Sequence, residues 1–381
     1  MLIAFIFIGV FCGVALHNNL LVKKFFGNKS DLQGIIELWS VSSFESGTQS
    51  KSSHLERVAL EFEKQNKGTF VLIINLSLDE CKLRLESGAR PDLFSFNGDA
   101  GKLLMEYLEE LEPQSNIREC LISSSTVNDN ILAYPWAVGG YVLISTENRI
   151  KNAGNVIETN LCENVMNFTY DKKLKKSTKT IYSLGYGQKN GNNPKRALTQ
   201  EFVSRGLNIK WNNNAVLDNN ESMTSYDAYS KFVNGDNVVL LGTQRDLSRI
   251  ETREKSGRED GFIVDYLSFY SDLVDYIAVV KCDDGKRLQI SKDFAKFLVK
   301  ENSERNLSKI GLFPTINFDE CLYDENSRFY LLEKSLKQLS IVPNIFAWIV
   351  FFNWNFCFSG VEYNGTWKEN IKRKIRRYGF L

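Results

Sequence analysis

The sequence has very few histidines and prolines for its length. Of its 381 residues, two are His and six are Pro. His17 lies in an apolar N-terminal stretch, which leaves His54 as the histidine of the folded part. With so little imidazole, we expect neither a His-based metal site nor a His-based catalytic triad.

Cysteine pairs with useful spacing are also missing. The seven cysteines are dispersed, and no two of them show the spacing of a metal-binding or redox motif. An odd and scattered set argues against a disulfide framework, so we expect unbridged, mostly buried thiols. The 47 basic and 46 acidic residues nearly cancel, which gives no reason to expect a nucleic-acid partner.

The sequence further lacks a Gly-rich phosphate loop and a nucleophile elbow. We therefore expect no catalytic residues, no metal and no cofactor, so the protein is predicted not to be an enzyme. Its length suggests two domains instead of one. Aromatic residues make up 12% of the chain, which packing alone does not require.

Residues 1–16 form an unbroken apolar run, and Lys23-Lys24 follow it. The run is shorter than the roughly 20 residues that span a bilayer and longer than a typical signal-peptide core. We predict that residues 1–27 are a signal or membrane anchor, although lysines after the run would by the positive-inside rule leave the remainder in the cytoplasm. Lipidation at Cys12 is disfavoured because the large Phe11 stands directly before it.

The central stretch, residues 131–146, consists of two apolar runs that flank Pro135-Trp136 and Gly139-Gly140. Proline removes a donor from a strand ladder, and glycine adopts backbone angles that other residues avoid. We interpret the stretch as a strand that leaves one sheet and joins another. It would then cross between two lobes beside a ligand cleft.

Strand and helix patterns alternate on both sides of this stretch. Strands are predicted at 35–41, 69–76, 180–187, 238–241 and 276–280, and helices at 54–64, 78–88, 102–111, 226–233 and 291–301. Ser77 and Glu80 have the spacing of a capping box. The alternation predicts a mostly parallel sheet with ligand contacts at strand carboxyl ends. Residues 311–315 are predicted to be a second crossing strand.

The C-terminal region is unusual in composition. Residues 345–358 are rich in aromatics and are predicted to form a buried helix that is too short to span a membrane. Residues 368–377 carry six basic side chains. A solvated terminal helix and contact with a membrane surface both fit that pattern.

Four stretches together resemble a known family. They are the strand ending in Leu38-Trp39-Ser40, residues 91–96 (Pro-Asp-Leu-Phe-Ser-Phe), residues 133–144 (Ala-Tyr-Pro-Trp-Ala-Val-Gly-Gly-Tyr-Val-Leu-Ile) and residues 241–246 (Leu-Gly-Thr-Gln-Arg-Asp). Their order and spacing are similar to those of the carbohydrate-type extracellular solute-binding proteins of bacterial ABC importers, the maltose-binding-like family 1.

The resemblance implies an α/β fold of the two-lobed, type II periplasmic-binding-protein kind, in which crossing strands join two α/β lobes. Residues 34–137 plus 274–313 would form lobe 1, and 138–273 plus 314–381 would form lobe 2. Hinge residues would be Val138, Gly139, Gly140 and Pro314. A monomer is implied that lies outside the cytoplasm, either secreted or associated with the cell membrane, and that delivers a carbohydrate to ABC permease subunits.

Sugar rings have apolar faces and a rim of hydroxyl groups, so aromatic planes and planar polar groups suit them. The candidate planes are Trp39, Trp136, Tyr141 and Tyr186. The candidate polar contacts are Ser40, Asn97, Asp99, Thr243, Gln244, Arg245 and Asp246. Each has an alternative: the two Trp side chains also fit core positions, and Arg245-Asp246 also fit an internal ion pair.

Two other functions stay open at this point. A sugar-active enzyme would use Asp92, Asp99 and Asp246 as paired carboxylates, although Asp92 is more typical of a turn cap. A membrane-anchored sensor or a degenerate paralogue would keep the fold without transport. Calorimetry against a sugar panel, followed by a turnover assay, separates binding from catalysis.

Overall fold

The computed structural model describes residues 34–152, 161–162, 165, 184–186, 192–206, 223–259 and 261–346. The predictions for residues 1–27, for Cys12 and for residues 347–381 lie outside these ranges. Across the described part of the chain, no helix combines the length and the apolar character needed to cross a membrane.

Two main sheets organise the described residues. The strands, in chain order, are β1 Gly34–Val41, β2 Thr69–Leu76, β3 Leu93–Asn97, β4 Thr126–Val127, β5 Asn130–Ile131, β6 Tyr134–Val138, β7 Tyr141–Thr146, β8 Leu184–Tyr186, β9 Val239–Thr243, β10 Phe262–Tyr266 and β11 Val274–Val279. A five-stranded sheet has the order β2-β1-β3-β11-β6, and a four-stranded sheet has the order β10-β7-β9-β8. Each sheet is the centre of one lobe.

Helices cover the sheets. They are α1 Lys51–Gln65, α2 Leu78–Glu86, α3 Gly98–Leu104, α4 Glu119–Ile122, α5 Glu147–Asn152, α6 Pro194–Ser204, α7 Ser225–Val233, α8 Gln244–Lys255, α9 Gly285–Leu298, α10 Glu301–Arg305 and α11 Arg328–Leu336. In the first lobe, Phe62 of α1 packs edge-on against Phe294 of α9, with ring centroids 5.2 Å apart. The predicted capping box of Ser77 and Glu80 is confirmed at the start of α2.

The prediction of a mostly parallel sheet holds for β1, β2 and β3 but is wrong for the sheets as a whole, because four of the seven strand pairs described in them are antiparallel. In the first sheet β11 runs antiparallel to its neighbours β3 and β6, and in the second β7 runs antiparallel to β9 and β10. The remaining pairs, β1 with β2 and β3 and β8 with β9, are parallel. Each of these antiparallel strands, β11 and β7, comes directly after a segment in which the chain crosses from the other lobe. A parallel pair of strands needs a crossover connection, usually a helix, between them. Neither β7 nor β11 is preceded by such a helix, so each pairs antiparallel with its neighbours.

Among the described residues, the chain passes between the lobes at three places before α11, and it returns to the first lobe near Ile345. The first passage is Gly139-Gly140, between β6 and β7, and the second is the segment 267–273, between β10 and β11. The third begins at Phe313, which exchanges two backbone hydrogen bonds with Val138, each 2.9 Å long. The predicted strand at 311–315 is therefore an isolated bridge to the first passage.

Two helix predictions differ from the structure. The predicted helix 102–111 is replaced by α3 and a short 3-10 turn, Met105–Tyr107, because Glu109 then donates a backbone bond to Val279 of β11 at 2.9 Å. The predicted helix 291–301 begins earlier, where the Asp284 side chain accepts the amide hydrogens of Lys286 and Arg287.

Candidate functional site

A cleft lies between the lobes beside the first passage. Ten of the described residues line it: Phe44, Glu45, Tyr141, Asn192, Pro194, Ser225, Leu241, Gly242, Thr243 and Asp246. Its empty volume, open mouth included, is about 540 Å³, but the centres of water molecules have access to only about 40 Å³ of it. The walls are therefore close together in this arrangement.

The base of the cleft carries a network of hydroxyl and carboxylate groups. The Tyr141 hydroxyl donates to Oδ1 of Asp272 at 2.5 Å, and the Asp272 Oδ2 accepts from the Tyr270 hydroxyl at 3.2 Å and from the backbone N–H of Asn193 at 2.7 Å. Burial raises the pKa of Asp272, while the hydrogen bonds that it accepts oppose that change. Burial and the neighbouring Asp272 raise the pKa of Tyr141 well above its usual value, so its hydroxyl stays protonated as a donor.

Asp99 approaches this network from the first lobe, at the start of α3. Although its side chain stays exposed to solvent, partial desolvation, followed by the negative charge of Asp272, raises its pKa to about 6. Asp99 also contributes to the raised pKa of Tyr141. Asp99 and Asp272 thus bring two negative charges near one tyrosine hydroxyl.

The polar loop predicted after β9 is in fact the first turn of α8. Thr243 is its N-cap and forms a capping box with Asp246, whose Oδ2 accepts the N–H of Thr243 at 3.0 Å. The other oxygen of Asp246 pairs with Arg249 at 2.8 Å. The internal ion pair considered for Arg245 and Asp246 is therefore made by Arg249 instead, and Arg245 bonds the carbonyls of Gly47 and Thr48.

Gln244 joins the passage between the lobes to the first lobe. Its Oε1 accepts the N–H of Gly140 at 3.0 Å, and its Nε2 donates to the carbonyl of Glu45 at 2.6 Å. The side chain is fully buried. A Cβ on Gly139 would lie 2.7 Å from that Oε1 and 2.9 Å from a ring carbon of Phe44, so only glycine fits this contact.

The other aromatic candidates lie in the interior. Trp39 donates from its Nε1 to Glu37 and packs edge-on against Phe94 at 5.8 Å. Trp136 stacks on His54, with ring centroids 5.5 Å apart and planes 3° apart, and its Nε1 donates to Ser95 Oγ at 3.2 Å. Both are 1% exposed, as is Tyr186 on β8; Tyr141 is equally buried, but it differs from them in lining the cleft. In this arrangement their faces are covered by protein.

The remaining candidates lie near strand ends. Ser40 is half-buried on β1 opposite Ser95, and the buried Asn97 closes β3 opposite Asp275 of β11. Asp92 accepts the N–H of Glu37 at 2.6 Å and pairs with Arg287, so it has a structural role in this arrangement. Of the predicted ligand residues, Tyr141, Thr243 and Asp246 line the cleft directly.

The predicted hinge residues are all held by specific contacts. Gly139 donates to the Leu273 carbonyl at 2.6 Å, which links the first and second passages. A Cβ on Gly140 would lie 2.7 Å from Leu332 of α11. The Pro314 carbonyl accepts from Arg118 at 3.0 Å. Their hinge function stays a prediction.

Several residues of the site were not predicted from the sequence, among them Phe44, Glu45, Ser225, Tyr270 and Asp272. Phe44 and Glu45 belong to the Ser-rich loop after β1, so the rule that ligands lie at strand carboxyl ends indicates the right loop. Tyr270 and Asp272 lie on the second passage, which is not predicted from the sequence. No periodic pattern marks those two residues.

The sequence matches no protein-family model and no curated protein. Solved structures do match. The sugar-binding protein MalE of Xanthomonas citri is 12% identical, with a TM-score of 0.56 over 85% of this chain and 89% of that chain. The maltose-bound MalE3 of T. maritima is 14% identical, with a TM-score of 0.56 over 82% and 90%.

A third structure, the GacH receptor of Streptomyces glaucescens, has been determined unliganded and with acarbose. It is 13% identical, with a TM-score of 0.53 over 82% of this chain and 88% of that chain. This chain has their fold. The prediction of a two-lobed α/β fold of the sugar-binding-protein type is thus confirmed, since the likeness extends over most of both chains.

Proposed function

We propose that the protein is a non-enzymatic binding protein that captures a carbohydrate when its two lobes close. The observation that carries the proposal is the cleft itself, which lies between two lobes of the sugar-binding-protein fold and has Tyr141 at its base. Polar side chains reach it from both lobes. A ligand that touches both lobes favours the closed state by its differential contacts.

The cleft chemistry suits a polyhydroxylated ligand. Asp246 supplies carboxylate oxygens, Thr243 and Ser225 supply hydroxyls, and Tyr141 supplies a ring, while Asp99 lies near the network at the base of the cleft. Buried sugar hydroxyls need such partners, because an unsatisfied polar group costs about 1–3 kcal/mol. Solved proteins with this fold bind maltose in T. maritima MalE3 and acarbose in the GacH receptor, which supports a saccharide ligand here.

We also propose the partners and location that go with such a role. The closed form would be recognised by the permease subunits of an ABC importer. The protein would act outside the cytoplasm as a monomer, associated with the membrane through residues 1–27 or secreted. We further propose the lobe boundaries that the resemblance implies, except that residues near Ile345 are assigned to the first lobe, because Ile345 donates to the Ser124 carbonyl of that lobe at 2.9 Å.

Isothermal titration calorimetry against mono- and oligosaccharides tests the main proposal. We expect at least one saccharide to bind with a clear heat, and the same saccharide to be recovered unchanged after long incubation. Appearance of a hydrolysed or transferred product would refute the non-enzymatic role. Absence of binding across neutral, amino and acidic saccharides would refute carbohydrate capture.

Tyr141→Leu tests the ring at the base of the cleft. If the ring packs on a sugar face, its loss should weaken saccharide binding more than roughly tenfold, as for other aromatic anchors. Tyr141→Phe keeps the ring and removes only the hydroxyl, so it is the matched control and should bind more tightly than the Leu variant. Thermal denaturation without sugar checks folding. Equal affinity of a folded Leu variant and the parent would remove Tyr141 from the site.

A further inference from the structure

The loop at residues 44–48 of the first lobe contacts the start of α8 in the second lobe. Arg245 donates to the carbonyls of Gly47 and Thr48, at 3.0 and 3.2 Å, and Gln244 donates to the carbonyl of Glu45 at 2.6 Å. The loop is in turn anchored to its own lobe, where Gly47 donates to the Gly311 carbonyl at 3.2 Å. Hydrogen bonds between protein atoms therefore join the two lobes across the cleft.

Glu45 makes the outermost contact of this set. Its carboxylate accepts from the Ser225 hydroxyl at 2.8 Å and pairs with Arg249 at 3.2 Å, and both partners belong to the second lobe. The Glu45 side chain is 43% exposed, whereas Arg249 is 14% exposed. Gln244, by contrast, is fully buried next to the passage at Gly139-Gly140. Opening about that passage would separate the Glu45 contacts more than the Gln244 contact, which lies at the passage itself.

The room left in the cleft is too small for a sugar. The 40 Å³ open to water centres holds roughly three water molecules at about 10–15 Å³ each. A sugar ring is several times larger than that. Glu45 and Ser225 both line this space, so a saccharide would have to separate them in order to enter.

We infer that Glu45 is a latch that holds the cleft shut against the ligand by binding Ser225 and Arg249 across it. This arrangement, which is too narrow for a sugar, is thus one of two states of the free protein. The other is the open state, which accepts the ligand and closes around it without the Glu45–Ser225 contact. Because only the open state accepts ligand, the apparent dissociation constant rises as the open fraction falls. The latch thereby lowers the apparent affinity for the ligand that the proposed function implies.

Glu45→Ala tests the latch, because it removes both contacts from a half-exposed loop residue. Small-angle X-ray scattering of the protein without saccharide should show a larger radius of gyration. Calorimetry should show binding of the saccharide about two- to fivefold tighter, as expected for losing one partly exposed ion pair. Ser225→Ala removes one of the two contacts and should raise the radius of gyration without saccharide by a smaller amount.

Glu147→Ala is the matched control. Glu147 is exposed and pairs with Lys151 one turn further on in α5, within the second lobe, so its loss should change neither scattering nor affinity. An unchanged radius of gyration for Glu45→Ala would overturn the latch, and so would weaker saccharide binding by an opened variant. If the variant opens but no saccharide binds to it or to the parent, the latch stands and the carbohydrate proposal fails.

Discussion

Trp136→Ala is expected to lower the free energy of unfolding by about 3–5 kcal/mol, the usual cost of removing a large buried aromatic side chain. The ring is 1% exposed and stacks on the His54 ring. Burial, followed by the charges of Arg57 and Lys309, lowers the pKa of His54 to about 3, so the imidazole is neutral and packs as an apolar partner. Urea denaturation followed by circular dichroism measures the loss.

The same variant decides between the two roles that the sequence left open for Trp136. Trp136→Phe is the control, because it keeps an aromatic ring against His54 and loses the Nε1 bond to Ser95. We expect it to cost only about 1–2 kcal/mol. If Trp136→Ala unfolds as the parent does but no longer binds saccharide, the ring belongs to the ligand site. Large destabilisation with unchanged affinity at low temperature assigns it to the core.

Much of the fold was predictable because local signals agreed with the tertiary structure. The stretch at 131–146 was predicted as a passage between sheets, and the structure has β6, Gly139-Gly140 and β7 there. Steric demands explain this success: a Cβ on either glycine would clash with buried neighbours. Strands β1 and β2 were also predicted within a residue of their ends. Their mostly apolar sequences are typical of parallel strands, although β2 lies at the edge of its sheet and Leu72 on it is exposed.

Elements governed by long-range contacts were not predictable. The second passage lies between β10 and β11 and is held by partners far away in sequence, such as the Leu273 carbonyl with Gly139. The first turn of α8 is an exception, because the polar residues after β9 predict a loop, whereas Thr243 and Asp246 have the spacing of a capping box. A local signal for the start of this helix is therefore present in the sequence.

The candidate site likewise contains some residues that the sequence predicts and others that it does not. Residue type alone did not separate Tyr141, which lines the cleft, from Trp39, which packs against Phe94. Both are aromatic residues at the end of a strand, so both are candidates for packing on a sugar ring. They differ in their position relative to the opposite lobe, and no local sequence pattern indicates that position. Glu45 was missed for the same reason, since its partner Arg249 is distant in the chain.

The third passage rests on a buried carboxyl group, that of Glu304 on α10. Its Oε2 accepts the N–H groups of Thr315 and Ile316 at 2.6 and 3.2 Å, and its Oε1 is bonded to the Thr315 hydroxyl. Burial raises the pKa of Glu304 to about 8, against the opposing effect of these bonds and of the nearby Arg118. At neutral pH the group is mostly protonated. In that form its Oε1 hydrogen can be donated to the Thr315 hydroxyl oxygen, whereas the ionised form accepts the hydroxyl hydrogen instead.

This environment makes stability fall as pH rises. Between the usual pKa of 4.5 and the folded value of about 8, the folded protein keeps a proton that the unfolded chain has lost. The contribution is therefore complete below about pH 4.5 and lost by about pH 8, with a slope of up to about 1.4 kcal/mol per pH unit. Urea denaturation at a series of pH values measures it.

Glu304→Gln isolates the effect from every other titrating group. The amide reproduces the protonated acid, because its oxygen accepts the two N–H groups and its NH₂ donates to the Thr315 hydroxyl. We expect near-parent stability at pH 5 and a distinctly flatter profile up to pH 8. Glu304→Leu leaves both N–H groups without this acceptor and should cost about 1–3 kcal/mol for each at all pH values. A Gln variant with the parent's slope would mean that Glu304 is ionised throughout, and that the third passage is held by a buried charge.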